Sequence, residues 1–213
     1  MESIDILPVE IWYMILFKIE NSNDRIAFGF VCRIFKELML NDPRSLRIRN
    51  KKNIGLLKNI KNIDLSCTNI TDDSLEALKG VHTINLSGTK ITDEGIKVLK
   101  GIHTIDLSCT NITDDSLEVL KGVHTINLRN CTKITDKGIK ALKGVYTIDL
   151  SYTDITDKGI NVLKGVHTIN LSGTKITDEG INALKGVHTI NLYNCIKITD
   201  EGLKALKGSK IYK

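Results

Sequence analysis

The chain has 213 residues, 41% of them hydrophobic and 5% aromatic, and carries a formal net charge of +5 at pH 7. That length allows one or two domains, no apolar run approaches the roughly 18–20 residues of a membrane span, and the rings are too sparse for base-stacking platforms, so neither membrane nor nucleic acid is an expected partner. The start Met1-Glu2-Ser3-Ile4-Asp5 lacks a basic stretch and an apolar core, so no secretory signal is read there, and the five cysteines, an odd number, fit reduced thiols better than a disulfide framework.

Residues 4–42 show no sequence repeat. Leu7-Pro8 opens a helix, because proline is tolerated in a first turn, and Ile11, Trp12, Ile15, Leu16 and Ile19 recur at helical spacing. Asn23-Asp24 caps a second helix with Ile26, Ala27 and Phe30, and a third runs from about Val31 to Leu40, stopping at Asn41-Asp42-Pro43. A unit this small is barely stable alone, and apolar residues on more than one face call for something to cover them.

Three segments here, Leu7-Pro8-Val9-Glu10-Ile11, Ile15-Leu16 and Val31-Cys32-Arg33-Ile34-Phe35, resemble an F-box, which reads Leu-Pro-x-Glu-(Leu/Ile), Ile-Leu and Val-Cys-(Lys/Arg)-x-Trp. Phe35 replaces the usual Trp, and Asn21-Ser22-Asn23-Asp24 stands where many members have a proline-containing turn. The resemblance implies docking onto a Skp-family adaptor and, through it, a cullin ubiquitin ligase. The contact it implies is Leu7, Pro8, Ile11, Trp12, Ile15, Leu16, Val31 and Phe35. The competing reading is a plain N-terminal cap for a solenoid of repeats.

Residues 44–59, with Leu46-Arg47-Ile48 and Leu56-Leu57-Lys58, read as a degenerate capping repeat whose cations are solvated. Seven copies of one unit then fill 60–208, at 60–80, 81–101, 102–122, 123–144, 145–165, 166–186 and 187–208, and 209–213 is a tail without a matching polar cap. So short a period marks a solenoid, which presents a surface and does not enclose a pocket. In one copy Val81, Ile84 and Leu86 give a short strand, Thr92-Asp93 an N-cap, Ile96 and Leu99 one helical face, and Gly101 a left-handed stop. A Lys precedes each stop glycine, where a helix dipole favours it. Strands want about 4.8 Å between neighbours and helices about 8–10 Å, so the stack curves with its strands inside.

The pattern Val81-x-x-Ile84-x-Leu86-x-x-Thr89-x-Ile91 resembles the leucine-rich repeat, and Leu128-Arg129-Asn130-Cys131 and Leu192-Tyr193-Asn194-Cys195 resemble its cysteine-containing subtype. Thr68, Thr89, Thr110, Thr153 and Thr174 stand where that subtype has Cys, and their hydroxyls are expected to satisfy turn backbone groups. The expected fold class is α/β: a curved parallel β-sheet with short helices on the convex side, preceded by the three-helix unit of 1–43.

Two repeat positions hold polar columns. All five histidines, His82, His103, His124, His167 and His188, share one position with Tyr146, and stacked rungs bring these rings about 5 Å apart. Asp64, Asn85, Asp106, Asn127, Asp149, Asn170 and Asn191 share another, where alternation relieves carboxylate repulsion or merely reflects duplication of repeat pairs. Neither column offers converging metal ligands, a nucleophile or a cleft, so no enzyme, metal or cofactor is expected. Partner choice is expected where copies differ on the concave side: Arg129, Tyr146, Asp149, Tyr152 and Tyr193. The expected function is substrate recognition within a Skp–cullin–F-box ligase, cytoplasmic, nuclear, or in a host's cytoplasm. The alternatives are an interaction scaffold without a ubiquitin link and, further off, an inhibitor of a secreted enzyme.

Overall fold

Each repeat spends three residues on a strand and returns through a short helical turn, so every strand lies beside its predecessor. A computed structural model describes Leu46–Arg47 and residues 61–213; the expected unit 1–43 and most of 44–59 lie outside the described residues. Among those described, the strands are β1 (Leu46–Arg47), β2 (Asn62–Asp64), β3 (Thr83–Asn85), β4 (Thr104–Asp106), β5 (Thr125–Asn127), β6 (Thr147–Asp149), β7 (Thr168–Asn170), β8 (Thr189–Asn191) and β9 (Lys210–Tyr212). They form one parallel sheet in chain order. The residues expected to form a tail therefore begin another rung: Ile211 pairs with Ile190, and Leu192 N donates to Tyr212 O at 2.7 Å.

The register is the repeat itself. Ile63, Ile84, Ile105, Ile126, Ile148, Ile169 and Ile190 fall side by side and point inward, each at most 2% exposed. The third repeat shows how the core closes: Ile102, Ile105, Leu107, Ile112, Leu117 and Leu120 are all buried. A single rung has no second layer of its own. Its apolar side chains are covered by the rungs on either side, which makes the solenoid a linear array of neighbour contacts.

The helices are single turns, such as Asp93–Ile96, or at most six residues, such as Asp114–Val119. Four of them tighten into 3₁₀ turns, and the stop glycines then adopt the left-handed conformation, Gly101 at φ 82°. One sequence expectation changes here. Lys79, Lys100, Lys143 and Lys164 have ψ of 126–131°, so they stand in the exit turn and not in the last helical turn. The tight 3₁₀ finish ends helical geometry one residue early.

The Thr-Asp capping signal looks local in sequence, and half of it acts at a distance. The threonine is the N-cap, with Thr92 Oγ1 accepting from Glu94 N at 3.3 Å. The aspartate after it, however, reaches across to the next rung. Asp72 accepts from Thr92 N at 2.9 Å and from Thr92 Oγ1 at 2.6 Å. The same pair of bonds joins Asp93 to Thr113, Asp114 to Thr135, Asp136 to Thr156, Asp157 to Thr177 and Asp178 to Thr199. One carboxylate thus fixes the entry of the following helix at each of these junctions, using charge-assisted bonds.

The residue two positions after each such aspartate is Gly or Ser for a reason. Serine at 116 donates its hydroxyl to Asp93 Oδ1 of the preceding rung. At Gly180 a Cβ would meet Asp157 Oδ1 inside hydrogen-bonding distance and Asp157 Cγ at 3.1 Å. That carboxylate is already held by Thr177, so it has nowhere to yield.

Alanine is favoured over glycine inside a helix by about 1 kcal/mol, yet Gly180→Ala is expected to destabilise by about 1 kcal/mol net, with Gly180→Ser losing less because its hydroxyl can donate to Asp157. Urea unfolding of the two variants measures this. For Asp93, burial raises the carboxyl's pKa, but hydrogen bonds from Ser116 and Thr113 and the charge of Lys133 outweigh it and hold the group below the ordinary carboxylate range. Thr199 does the same for Asp178. The folded value lies below the unfolded value of about 3.9, so this contribution is complete above that pH and fades as pH falls through the folded value. Thermal melts from pH 7 to pH 2 are expected to show Asp93→Asn melting about 2–4 °C lower at pH 7, with the difference closing in acid.

Candidate binding face

Alternation along each strand puts one set of side chains inside and the next on the concave surface, and the uniform register turns that set into columns. The first column is aromatic. His82, His103, His124, Tyr146, His167 and His188 stack with ring centroids 4.5–4.7 Å apart and planes within 20°. Each imidazole Nδ1 lies 3.0–3.3 Å from the Oγ1 of the threonine that follows it. Nδ1 of each ring is thereby engaged within its own rung. Parallel stacked rings set their nitrogens side by side, not converging, and among the described residues no group of three or more His, Cys, Asp or Glu is placed to hold a metal ion.

The second column is threonine (Thr83, Thr104, Thr125, Thr147, Thr168, Thr189), and the third is the Asp/Asn column. Every member of the third accepts, through Oδ1, the backbone N–H two residues on: Ser66 N to Asp64 at 2.9 Å, Ser108 N to Asp106 at 2.8 Å, Tyr193 N to Asn191 at 3.0 Å. The alternation has a second use. Asn127 Nδ2 donates to Asp106 Oδ2 at 2.9 Å, and Asn170 Nδ2 to Asp149 Oδ2 at 2.8 Å. An amide between two acids removes like-charge adjacency and replaces it with a hydrogen bond.

Between these columns runs a groove of about 480 Å³, floored by the sheet from β2 to β7. Among the described residues, the ionisable groups that line it are Asp64, Asp106 and Asp149. Asp149 is also held by the fold: Ser151 donates to its Oδ1 from N at 2.8 Å and from Oγ at 2.6 Å.

Where the strands leave the sheet a fourth column holds serines, broken by Arg129 and Tyr193. The fifth, at the turn, is left-handed throughout: Cys67, Gly88, Cys109, Asn130, Tyr152, Gly173 and Asn194 have φ between 55° and 67°. Tyr152, in this turn column, is exposed. It lies against Gly173, and the Arg129 guanidinium sits over its ring at 5.2 Å. So of the expected partner contacts, Arg129 and Tyr152 meet, Tyr146 belongs to the ring column and Asp149 to the Asp/Asn column. Tyr193, 63% exposed, stands three rungs from Arg129, roughly 14 Å away. The eight expected adaptor contacts from Leu7 to Phe35 lie outside the described residues.

Beneath the face the threonines behave as expected: Thr89 Oγ1 donates to Leu86 O at 2.7 Å, Thr110 to Leu107 O at 2.6 Å. The cysteines differ, because Cys131 Sγ and Cys195 Sγ reach back one rung, to Leu107 O and Leu171 O at 3.0 Å. Burial pushes the Cys131 thiol up against its Thr110 hydrogen bonds, which suits a packing role and not a nucleophile. The face offers hydrogen-bonding, aromatic and acidic groups in ordered rows, which is binding chemistry.

Known proteins agree with this architecture. No curated relative matches the chain in sequence. Among solved structures it is similar to internalin C2 of Listeria monocytogenes (18% identity, 76% of this chain and 73% of that one, TM-score 0.58) and to the leucine-rich-repeat protein LIC12759 of Leptospira interrogans (16%, 78% and 46%, TM-score 0.58). It is also similar to yeast Rad7 in its complex with Elc1 (14%, 86% and 63%, TM-score 0.57). The chain spans under two thirds of the Leptospira and yeast proteins, and likeness at these identities speaks to the fold. The family model described as leucine-rich repeat matches residues 57–79, 81–100, 102–121, 123–143, 147–163 and 166–185, more than half of the chain. With its strand–turn–helix rungs and open columned face, the chain belongs to the leucine-rich-repeat family.

Proposed function

We propose that this protein is the substrate-recognition subunit of a Skp–cullin–F-box ubiquitin ligase, holding a target protein on its concave face. The observation that carries the binding half is the open groove along β2 to β7, floored by the strand isoleucines and edged by repeated threonine and Asp/Asn side chains. A protein partner suits such a face, and tethering it raises its concentration near whatever the N-terminal unit binds. The ligase half rests on the sequence pattern Leu7-Pro8-Val9-Glu10-Ile11 with Val31-Cys32-Arg33-Ile34-Phe35. Arg129, Tyr146, Asp149, Tyr152 and Tyr193 are the target contacts in this reading, with the Arg129–Tyr152 pair its centre. A scaffold with no ubiquitin link is the second reading, favoured by the breadth of leucine-rich-repeat neighbours.

Co-purification separates the two. The full chain is expected to retain a Skp-family adaptor, and Pro8→Ala with Ile15→Asp is expected to release it while the repeat region melts unchanged. An intact chain that retains no such adaptor leaves the scaffold reading.

A further inference from the structure

The chain is basic overall, yet its groove is acidic. Net charge is +5, and among the groove's lining residues the only charges are Asp64, Asp106 and Asp149. Three cations on or beside the sheet have ring or register partners. Arg129 lies over Tyr152, Lys210 over the Tyr212 ring at 5.1 Å, and Arg47 is in register with Asp64. Asp106 and Asp149 are therefore the acids of the groove's middle.

Their spacing is set by the fold. The three aspartates occupy every second rung, with Asn85 and Asn127 between. At the 4.5 Å ring spacing of the neighbouring column, or about 4.8 Å between strands, successive carboxylates recur roughly every 9–10 Å. An extended β-strand shows the same face every two residues, near 6.8 Å. A polyproline II helix shows it every three residues, near 9.3 Å.

We infer that the groove takes an extended polyproline II segment of the partner with Lys or Arg at every third residue, running across the rungs. The cations meet Asp106 and Asp149. A polyproline II backbone makes no internal hydrogen bonds, and the threonine and asparagine side chains that line the groove supply partners for it. The acids stay in place because Ser108 and Ser151 hold them from below through backbone N–H and hydroxyl. Asparagine makes that same backbone bond in the neighbouring rungs, so Asp→Asn removes charge without removing the turn.

The inference rests on the concave face being the docking surface and specifies what docks there. It is tested with the full chain and fluorescent peptides by anisotropy: four Pro-Pro-Lys triplets, the same length of Pro-Pro-Glu, and an isomer of the first with its lysines in adjacent pairs. The triplet peptide is expected to bind, the glutamate peptide not, and the paired isomer about fivefold more weakly. Asp106→Asn with Asp149→Asn is expected to weaken triplet binding about tenfold, two ion pairs at about 0.7 kcal/mol each, with unchanged circular dichroism and a lower melting temperature, because Asn127 and Asn170 lose their carboxylate acceptors. No binding of the triplet peptide, equal binding of the glutamate peptide or the isomer, or undiminished binding by the double variant overturns the inference. Adaptor retention in the same preparation is read separately. Retained adaptor with no peptide binding sinks the groove assignment alone, and peptide binding with no adaptor sinks the ligase assignment alone.

Discussion

No rung of this molecule is complete without the next. The carboxylate that begins one helical turn, Asp72 in the first repeat and its five successors, closes the N-terminus of the following turn through Thr N and Oγ1. The inward isoleucines and leucines are likewise buried only when a neighbour covers them. Parallel pairing, core burial and the aspartate bond all act across the same junctions, so stability is a property of interfaces between repeats. The Gly/Ser requirement behind each carboxylate is a consequence: nothing larger fits where one rung's acid passes the next rung's helix.

Identical junctions also produce the face. When every rung enters and leaves the sheet in the same way, side chains at one repeat position line up a strand spacing apart. Columns of rings, hydroxyls and Asp/Asn groups arise without any further design. Such columns raise a cost where a column is charged. The chain meets it by placing amides between acids, so that Asn127 and Asn170 bond to Asp106 and Asp149. The same device leaves acids at a two-rung interval, a spacing that a ligand with a matching repeat can read.

Much of the architecture is legible in the residues because period is a strong signal. The Ile84–Leu86 alternation, the Thr92 cap and the Gly101 stop each appear where the residues place them. What stays hidden has physical causes. Asp93 carries the standard look of a helix-start acid, and residue type cannot say whether its carboxylate serves its own helix or the next. Gly88, Gly173, Asn130 and Asn194 in one column signal the left-handed turn, but Cys67, Cys109 and Tyr152 share it and mask the pattern. Cys131 and Thr110 occupy equivalent places, and only geometry shows that the thiol bonds to the previous rung and the hydroxyl to its own.

Native-state hydrogen exchange on Asp114→Ala tests the interface account most directly. The substitution removes the bonds to Thr135 N and Oγ1 at one junction, between the third and fourth repeats. Strand amides of β4 and β5 are predicted to lose most protection, with the loss declining rung by rung toward β2 and β8. Loss confined to the helix that carries residue 114, or none at any strand, would contradict the claim that the rungs hold one another.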